Sequence, residues 1–332
     1  MGSPLPAEFD RLAGSNSGAA RSLRNEADSG NLAYRRKLFV VAGASFGELQ
    51  GFVRGNCIPQ EVDRMPEIAS SWKRANSAYR TLQITEQSLP KQVALSSPEP
   101  ELGPLLESIA AQPLFRSSYG EHDFQVMKVG IRNLIACQRH VDLDYVDTLS
   151  ARLLENVSSE SIARFCLLSP LPLHPPKQLQ ISPNAFCFSS PNTDFRFLGG
   201  YVRPVSDADT QTCWMGGQPA AMVILMLGYG APSMNAFQIG DRVVLSNGFH
   251  RAYTLLSSGV EHAYLVVRRV NDPSTELPPV LGSMSNDCIL NNPRPILVRD
   301  FFNPSLISEL RGSPGLRNIQ VAWQASQVNI PL

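Results

Sequence analysis

Asn247-Gly248-Phe249-His250-Arg251 joins residue types that can hold an anion. An apolar run, Val243 to Leu245, precedes it, and Ala252, Leu255 and Leu256 follow at helical spacing. A strand is therefore expected to turn sharply at Gly248 into a helix. The first amides of a helix have no internal partners and carry the positive end of its dipole. An imidazole and a guanidinium at the first helical positions would then complete a pocket for a phosphate or a carboxylate. The plainer alternative stays open: Asn-Gly is a common turn, Arg251 could serve as a structural ion-pair partner, and His250 could be a capped surface residue.

Other candidates carry less. Cys137-x-x-His140 has the spacing of a zinc half-site but lacks a second pair, and the five histidines stand apart at 122, 140, 174, 250 and 262. Cys213, beside Trp214, would need a base to act as a nucleophile, and His174 is the other reactive group in the same stretch. Gly216-Gly217 and Gly228-Tyr229-Gly230 lack a full dinucleotide-binding spacing. Arg268 and Arg269 fit a solvated strand end better than a nucleic-acid contact.

The elements that would position these residues fall in a definite order. Residues 1–34, rich in Gly, Ser, Ala and Asn, are expected to form a flexible tail. Residues 35–118 are expected to be helical, with a long helix over 66–83 built on Ile68, Trp72, Ala75, Tyr79 and Leu82. Four prolines between Leu89 and Pro104 suggest a linker and a boundary near 118. A second unit over 119–290 should open with a strand at 124–131 and a turn at Ala136 to His140. A helix capped by Asp142 or Asp144 should follow, facing Val146, Leu149, Leu153 and Leu154 inward. The proline-rich stretch 167–192 is expected to be a loop or flap, and the apolar run Ala221 to Leu227 a strand buried on both faces. Residues 291–332 form an extension with an alternating strand near Ile319, Val321 and Trp323.

Strand, Gly-x-His-Arg, helix, strand resembles the phosphate-binding turn of the ParB and sulfiredoxin-like superfamily. Val126 to Ile131, Gln138-Arg139 and the helix from Asp144 are similar to the first strand, turn and helix of ParB domains. The resemblance spans about residues 124–270 and is sharp over 241–268. It implies an α/β (α+β) fold with a mixed sheet, an insertion over 156–217, and a cytosolic, bacterial-type protein. It also implies that Gly248, Phe249, His250 and Arg251 meet the phosphates of a nucleoside triphosphate with Mg²⁺, with Asn247, Gln138 and Arg139 nearby. His250 and Arg251 would stabilise charge on a transferred phosphoryl group. The departures are specific. Phe249 stands where sulfiredoxins carry cysteine, and Phe249 and His250 replace the Glu and first Arg of ParB proteins. Asn247 stands where kinase-like relatives carry an acid. A catalytically degenerate module for protein or DNA interaction is the alternative implication.

Bulk composition narrows the partners. Lys and Arg total 29 and Asp and Glu total 29, so no global field draws the chain to DNA or an anionic membrane. The longest apolar run, about eight residues, falls far short of the roughly 20 that a membrane-spanning helix needs. No secretory signal is visible at the start, and six cysteines without paired spacing fit reduced thiols, so a cytoplasmic setting is expected.

Overall fold

Successive apolar residues need cover on both faces, and Leu38 to Val41 have it in the computed structural model: all four are buried. The strand they build, β1 (Arg35–Val40), is the centre of a three-stranded antiparallel sheet. The structure describes residues 34–120, 123–153, 157–168, 175–192, 194–212, 219–277, 280–282 and 284–330. They divide into two compact units, the larger comprising Tyr34–Leu173 with Gly230–Pro314 and the smaller centred on His174–Tyr229 with the segment from Gly315.

In the larger unit β1 lies between β5 (His140–Asp142) and β15 (Ile307–Gly312). A second, six-stranded sheet has the order β2 (Leu95–Ser96), β3 (Phe124–Gly130), β12 (His262–Val270), β10 (Asn235–Ile239), β11 (Arg242–Asn247), β4 (Ile135–Ala136). β10 runs parallel to β12 and β4 parallel to β11, the other pairs being antiparallel, so the sheet is mixed. A small hairpin, β13 (Val280–Leu281) and β14 (Met284–Ser285), stands apart.

Five helices matter for the site. Helix α1 (Phe46–Asn56) opens with a capping box in which Ser45 and Glu48 satisfy each other's backbone amides. The long helix α2 (Met65–Thr85) buries Ile68, Ala75 and Tyr79, as their spacing predicts. Helix α3 (Leu143–Leu153) is capped by Asp142, whose Oδ1 accepts the Tyr145 amide at 3.2 Å. Its Val146, Leu149 and Leu153 are buried, contributing about 1.5–3 kcal/mol each. Helix α4 (Ser159–Leu167) buries five consecutive-face residues against β12, and α5 (Phe249–Ser257) packs on α3.

Arg294, 1% exposed, anchors the far end of α2: its guanidinium pairs with the buried carboxylate of Asp300 and, at 2.7 Å, with Glu86. The Tyr79 hydroxyl donates to the Arg294 carbonyl at 2.5 Å, and burial pushes its own pKa up to about 12.

The smaller unit is entirely of strands and one short helix among the described residues. β6 (Lys177–Ser182), β7 (Ala185–Ser190) and β16 (Arg317–Ala322) form an antiparallel sheet in the order β16-β7-β6. A long two-stranded ribbon joins β8 (Phe195–Pro204) to β9 (Ala221–Tyr229).

The mixed α/β character matches the expectation, and the division of the chain differs from it. Residues 35–118 are no separate helical region, because β1 is central to one sheet and β2 extends the other. Three of the four prolines between Leu89 and Pro104, Pro90, Pro100 and Pro104, start short helical turns instead of forming a linker. The 291–332 extension is likewise shared: β15 completes the β1 sheet, and β16 belongs to the smaller unit. Of the expected 156–217 insertion, α4 is core to the larger unit, whereas the part from His174 belongs to the smaller. The stretch read as a proline-rich flap contains β6 and β7. The apolar run Ala221 to Leu227 is a strand as expected, but among the described residues it pairs with β8 alone, and it exposes Val223 and Leu225. The expected tail, Leu154, His174, Cys213 and Trp214 lie outside the described residues.

Candidate functional site

β11 ends at Asn247, Gly248 takes a left-handed conformation with φ +102°, and α5 begins at Phe249. The strand-turn-helix geometry expected from the sequence is therefore present. Only glycine suits this turn, for two reasons. An L-residue is strained at that φ, and a Cβ there would lie 2.5 Å from Cγ of Met234. Met234 is fully buried, so a core side chain fills the space beside the turn.

The polar groups of the turn face inward. Asn247 Nδ2 donates to the carbonyls of Ala231 at 3.0 Å and Ser233 at 3.1 Å, which holds the approach to β10 against the end of β11. Arg251 is 7% exposed, and its Nη1 donates to the carbonyls of Phe165, Cys166 and Leu168 at 3.2, 2.8 and 3.2 Å. These belong to the last turn of α4, whose final carbonyls have no partner within the helix. Two further donors complete the set: Ser233 Oγ to the Leu167 carbonyl at 2.8 Å, and the Met234 amide to the Cys166 carbonyl at 2.7 Å. The guanidinium thus closes a helix C-terminus, where the dipole favours a cation, although burial lowers its pKa.

His250 also turns inward. Its Nε2 accepts the Asp142 backbone amide at 3.0 Å, so that nitrogen carries no proton and the neutral ring is the bonded form. The ring meets Tyr145 edge-on with centroids 5.1 Å apart. Burial holds its pKa down at about 4, against the pull of Asp142 and with help from Lys37. Phe249 is buried in the core. His140 is likewise held down at about 4 by burial, with Lys37 adding to the effect.

Gln138 and Arg139 are not brought onto the same point as Arg251. The Gln138 amide donates to the carbonyl of His140. Arg139, 6% exposed, donates Nη1 to the Ala42 carbonyl at 2.9 Å and Nη2 to the Gly43 carbonyl at 2.8 Å, tying β4 to the turn before α1. Its charged and titratable neighbours are Glu48, Tyr79 and Cys288, whereas those of Arg251 are Cys166, Tyr145 and Tyr119. The two arginines occupy different surroundings.

Cys137 of the Cys137-x-x-His140 spacing donates its thiol to the Leu245 carbonyl at 3.0 Å, and burial pushes its pKa up to about 12. Among the described residues no group of three or more His, Cys, Asp or Glu is placed to hold a metal ion. Two clefts of about 320 and 340 Å³ are open on the larger unit, one beside Glu101 and Arg164, the other beside Arg132, Arg294 and Arg299. Neither is lined by a residue of the 247–251 turn. Sequence reasoning missed Ser233 and Met234, the residues that complete the junction, since nothing in their types distinguishes them from loop residues.

These features define a mixed α/β protein in which an Asn-Gly turn ties a helix start to a helix end. Compared with known proteins, the chain matches no family model, no curated protein and no solved structure. No helix among the described residues is long and apolar enough to cross a membrane.

Proposed function

We propose that the chain is a degenerate ParB/sulfiredoxin-like module that acts by binding a partner protein, its phosphate-type turn having become a structural joint. One observation carries this reading: the guanidinium of Arg251 is engaged by three backbone carbonyls of the α4 terminus. A cation that serves a transferred phosphoryl group has to face the ligand. His250, the second candidate, spends its Nε2 on the Asp142 amide. The missing acidic residues at 247 and 249 point the same way, because metal-bridged phosphates need carboxylates to hold the ion. A balanced charge of 29 basic and 29 acidic side chains favours a protein partner over DNA.

The competing reading, phosphoryl transfer or nucleotide hydrolysis at His250 and Arg251, is separated by titrating ATP, CTP, GTP and ADP with Mg²⁺ calorimetrically and in thermal melts. The expected result is no saturable heat and no change in Tm. A site with a Kd 100-fold below the ligand concentration would stabilise the fold by about 2.7 kcal/mol, raising Tm by roughly 5–10 °C. A rise of that size with any nucleotide overturns the proposal.

A further inference from the structure

The cleft beside Arg294 holds charged groups whose mutual pairing leaves two of them open. Arg294 donates Nε and Nη2 to Oε2 of Glu86 at 3.2 and 2.7 Å, and both of its Nη atoms to the Asp300 carboxylate. Two carboxylates on one guanidinium leave a surplus negative charge. Asp300 is 2% exposed and also accepts the Leu297 amide at 2.9 Å, so it is closed to a ligand. Glu86 is half-buried, and its Oε1 accepts no hydrogen bond among the described residues.

The same cleft holds the opposite sign. Arg299, half-buried in a short 3-10 turn (Val298–Phe302), makes no ion pair and no side-chain hydrogen bond among the described residues, although it shares the cleft with Glu86 and Asp300. Both carboxylates are engaged by Arg294 instead. Arg132, the third arginine, is matched by Glu261 at 2.9 Å. The backbone under Arg299 is fixed: its amide donates to the Arg132 carbonyl at 3.1 Å and the Val298 amide to the Leu134 carbonyl at 2.9 Å. A guanidinium has five donors in a planar fork that fits a carboxylate with two parallel hydrogen bonds. Apolar surface completes the lining through Leu82, Pro304 and Phe302, whose ring is 39% exposed and stacks on Tyr253 with centroids 4.5 Å apart.

We propose that this cleft binds a free α-amino acid with an apolar side chain. Its carboxylate sits on Arg299, its ammonium on Oε1 of Glu86, and its side chain against Leu82, Phe302 and Pro304. A simple anion would meet the surplus negative charge around Arg294, and a simple cation would meet Arg299. A zwitterion satisfies both groups. A cleft of about 340 Å³ lies at the lower end of ligand pockets, suited to a molecule of about ten non-hydrogen atoms. Because Arg294 already holds the Glu86 carboxylate in place, less ordering is needed when the ligand arrives. None of these residues belongs to the 247–251 turn, so the proposal goes beyond the interaction-module reading and does not depend on it.

Calorimetric titration of L-phenylalanine and of L-leucine into the full chain tests the idea. The expected result is saturable one-to-one binding with a Kd below about 1 mM. Arg299→Gln should weaken it at least tenfold and should fold normally, since its guanidinium has no described partner to lose. Glu86→Gln should weaken it as much, with Arg294 still held by Asp300. N-acetyl-L-phenylalanine, which lacks the ammonium, L-phenylalanine amide, which lacks the carboxylate, and glycine should each bind at least tenfold more weakly. Arg164→Gln, in the other cleft, should leave the affinity unchanged. No saturable heat with either amino acid up to about 10 mM overturns the proposal. Equal binding of the N-acetyl compound overturns it by making the cleft an anion site. Binding that survives Arg299→Gln overturns it by placing the ligand elsewhere. The nucleotide titration tests the 247–251 turn separately.

Discussion

Replacing Arg251 with methionine keeps much of the buried stem and removes every donor of the guanidinium. Of the three carbonyls it serves, that of Cys166 keeps the Met234 amide, and that of the half-buried Leu168 is near solvent. The Phe165 carbonyl, on a buried residue, loses its charged partner. An acceptor left unsatisfied costs about 1–3 kcal/mol, and loss of charge-assisted bonds to the other two adds to it. Part is returned because a guanidinium no longer has to be desolvated, the same burial that lowers its pKa. The balance is about 2–4 kcal/mol, or a fall in Tm of roughly 5–15 °C. Equilibrium urea unfolding, followed by circular dichroism, reads the loss directly. A change below about 0.5 kcal/mol would refute the C-capping role, because that is the size expected of a surface substitution. Such a variant, stable but altered in anion binding, would return Arg251 to a ligand site.

Two further outcomes follow from the same junction. His250 and His140 have pKa values of about 4 in the fold, below the ordinary 6.5. Between those values the unfolded chain binds more protons, so stability is full above about pH 6.5 and falls as pH drops toward 4. Urea midpoints at pH 7.5 and 5 should show this loss, and His250→Gln should reduce the slope; an unchanged slope would mean that His250 does not titrate as stated. Gly248→Ala should cost more than about 1 kcal/mol, since it meets both a positive φ and Met234. Adding Met234→Ala should relieve only the steric part, and full additivity in the double-mutant cycle would show that the two side chains do not meet.

How much of this was legible beforehand depended on how local each signal was. The strand, Gly248 turn, α5 and β12 were readable because periodicity and one obligatory glycine act over a few residues. The long helix α2 and the Asp142 cap were readable for the same reason. The role of Arg251 was not, as the carbonyls it serves lie 83 to 86 residues earlier. An arginine at a helix start has the same local appearance whether it faces an anion or another helix's end. Apolar runs misled in a related way. Leu38 to Val41 and Ala221 to Leu227 are alike in composition, yet the first is buried and the second stands largely open. Hydrophobicity states that cover is favoured and says nothing of what provides it. Prolines between Leu89 and Pro104 suggested a break, but Pro90, Pro100 and Pro104 sit at first helical positions, where a missing amide costs nothing.

The place of β1 between β5 and β15 sets an order of events during synthesis. Its first neighbour, β5, emerges about a hundred residues later, but β15 follows by roughly 270, a delay of about 15–55 s at 5–20 residues per second. Until then one edge of Leu38 to Val40 is an open template in a half-made sheet. Pairings of such sequence separation close slowly, so the nascent chain is exposed longest at a strand whose Leu38 to Val40 belong in the core. Any arrest of translation before Ile307 would release a polypeptide with that edge uncovered, fit for aggregation or for a chaperone.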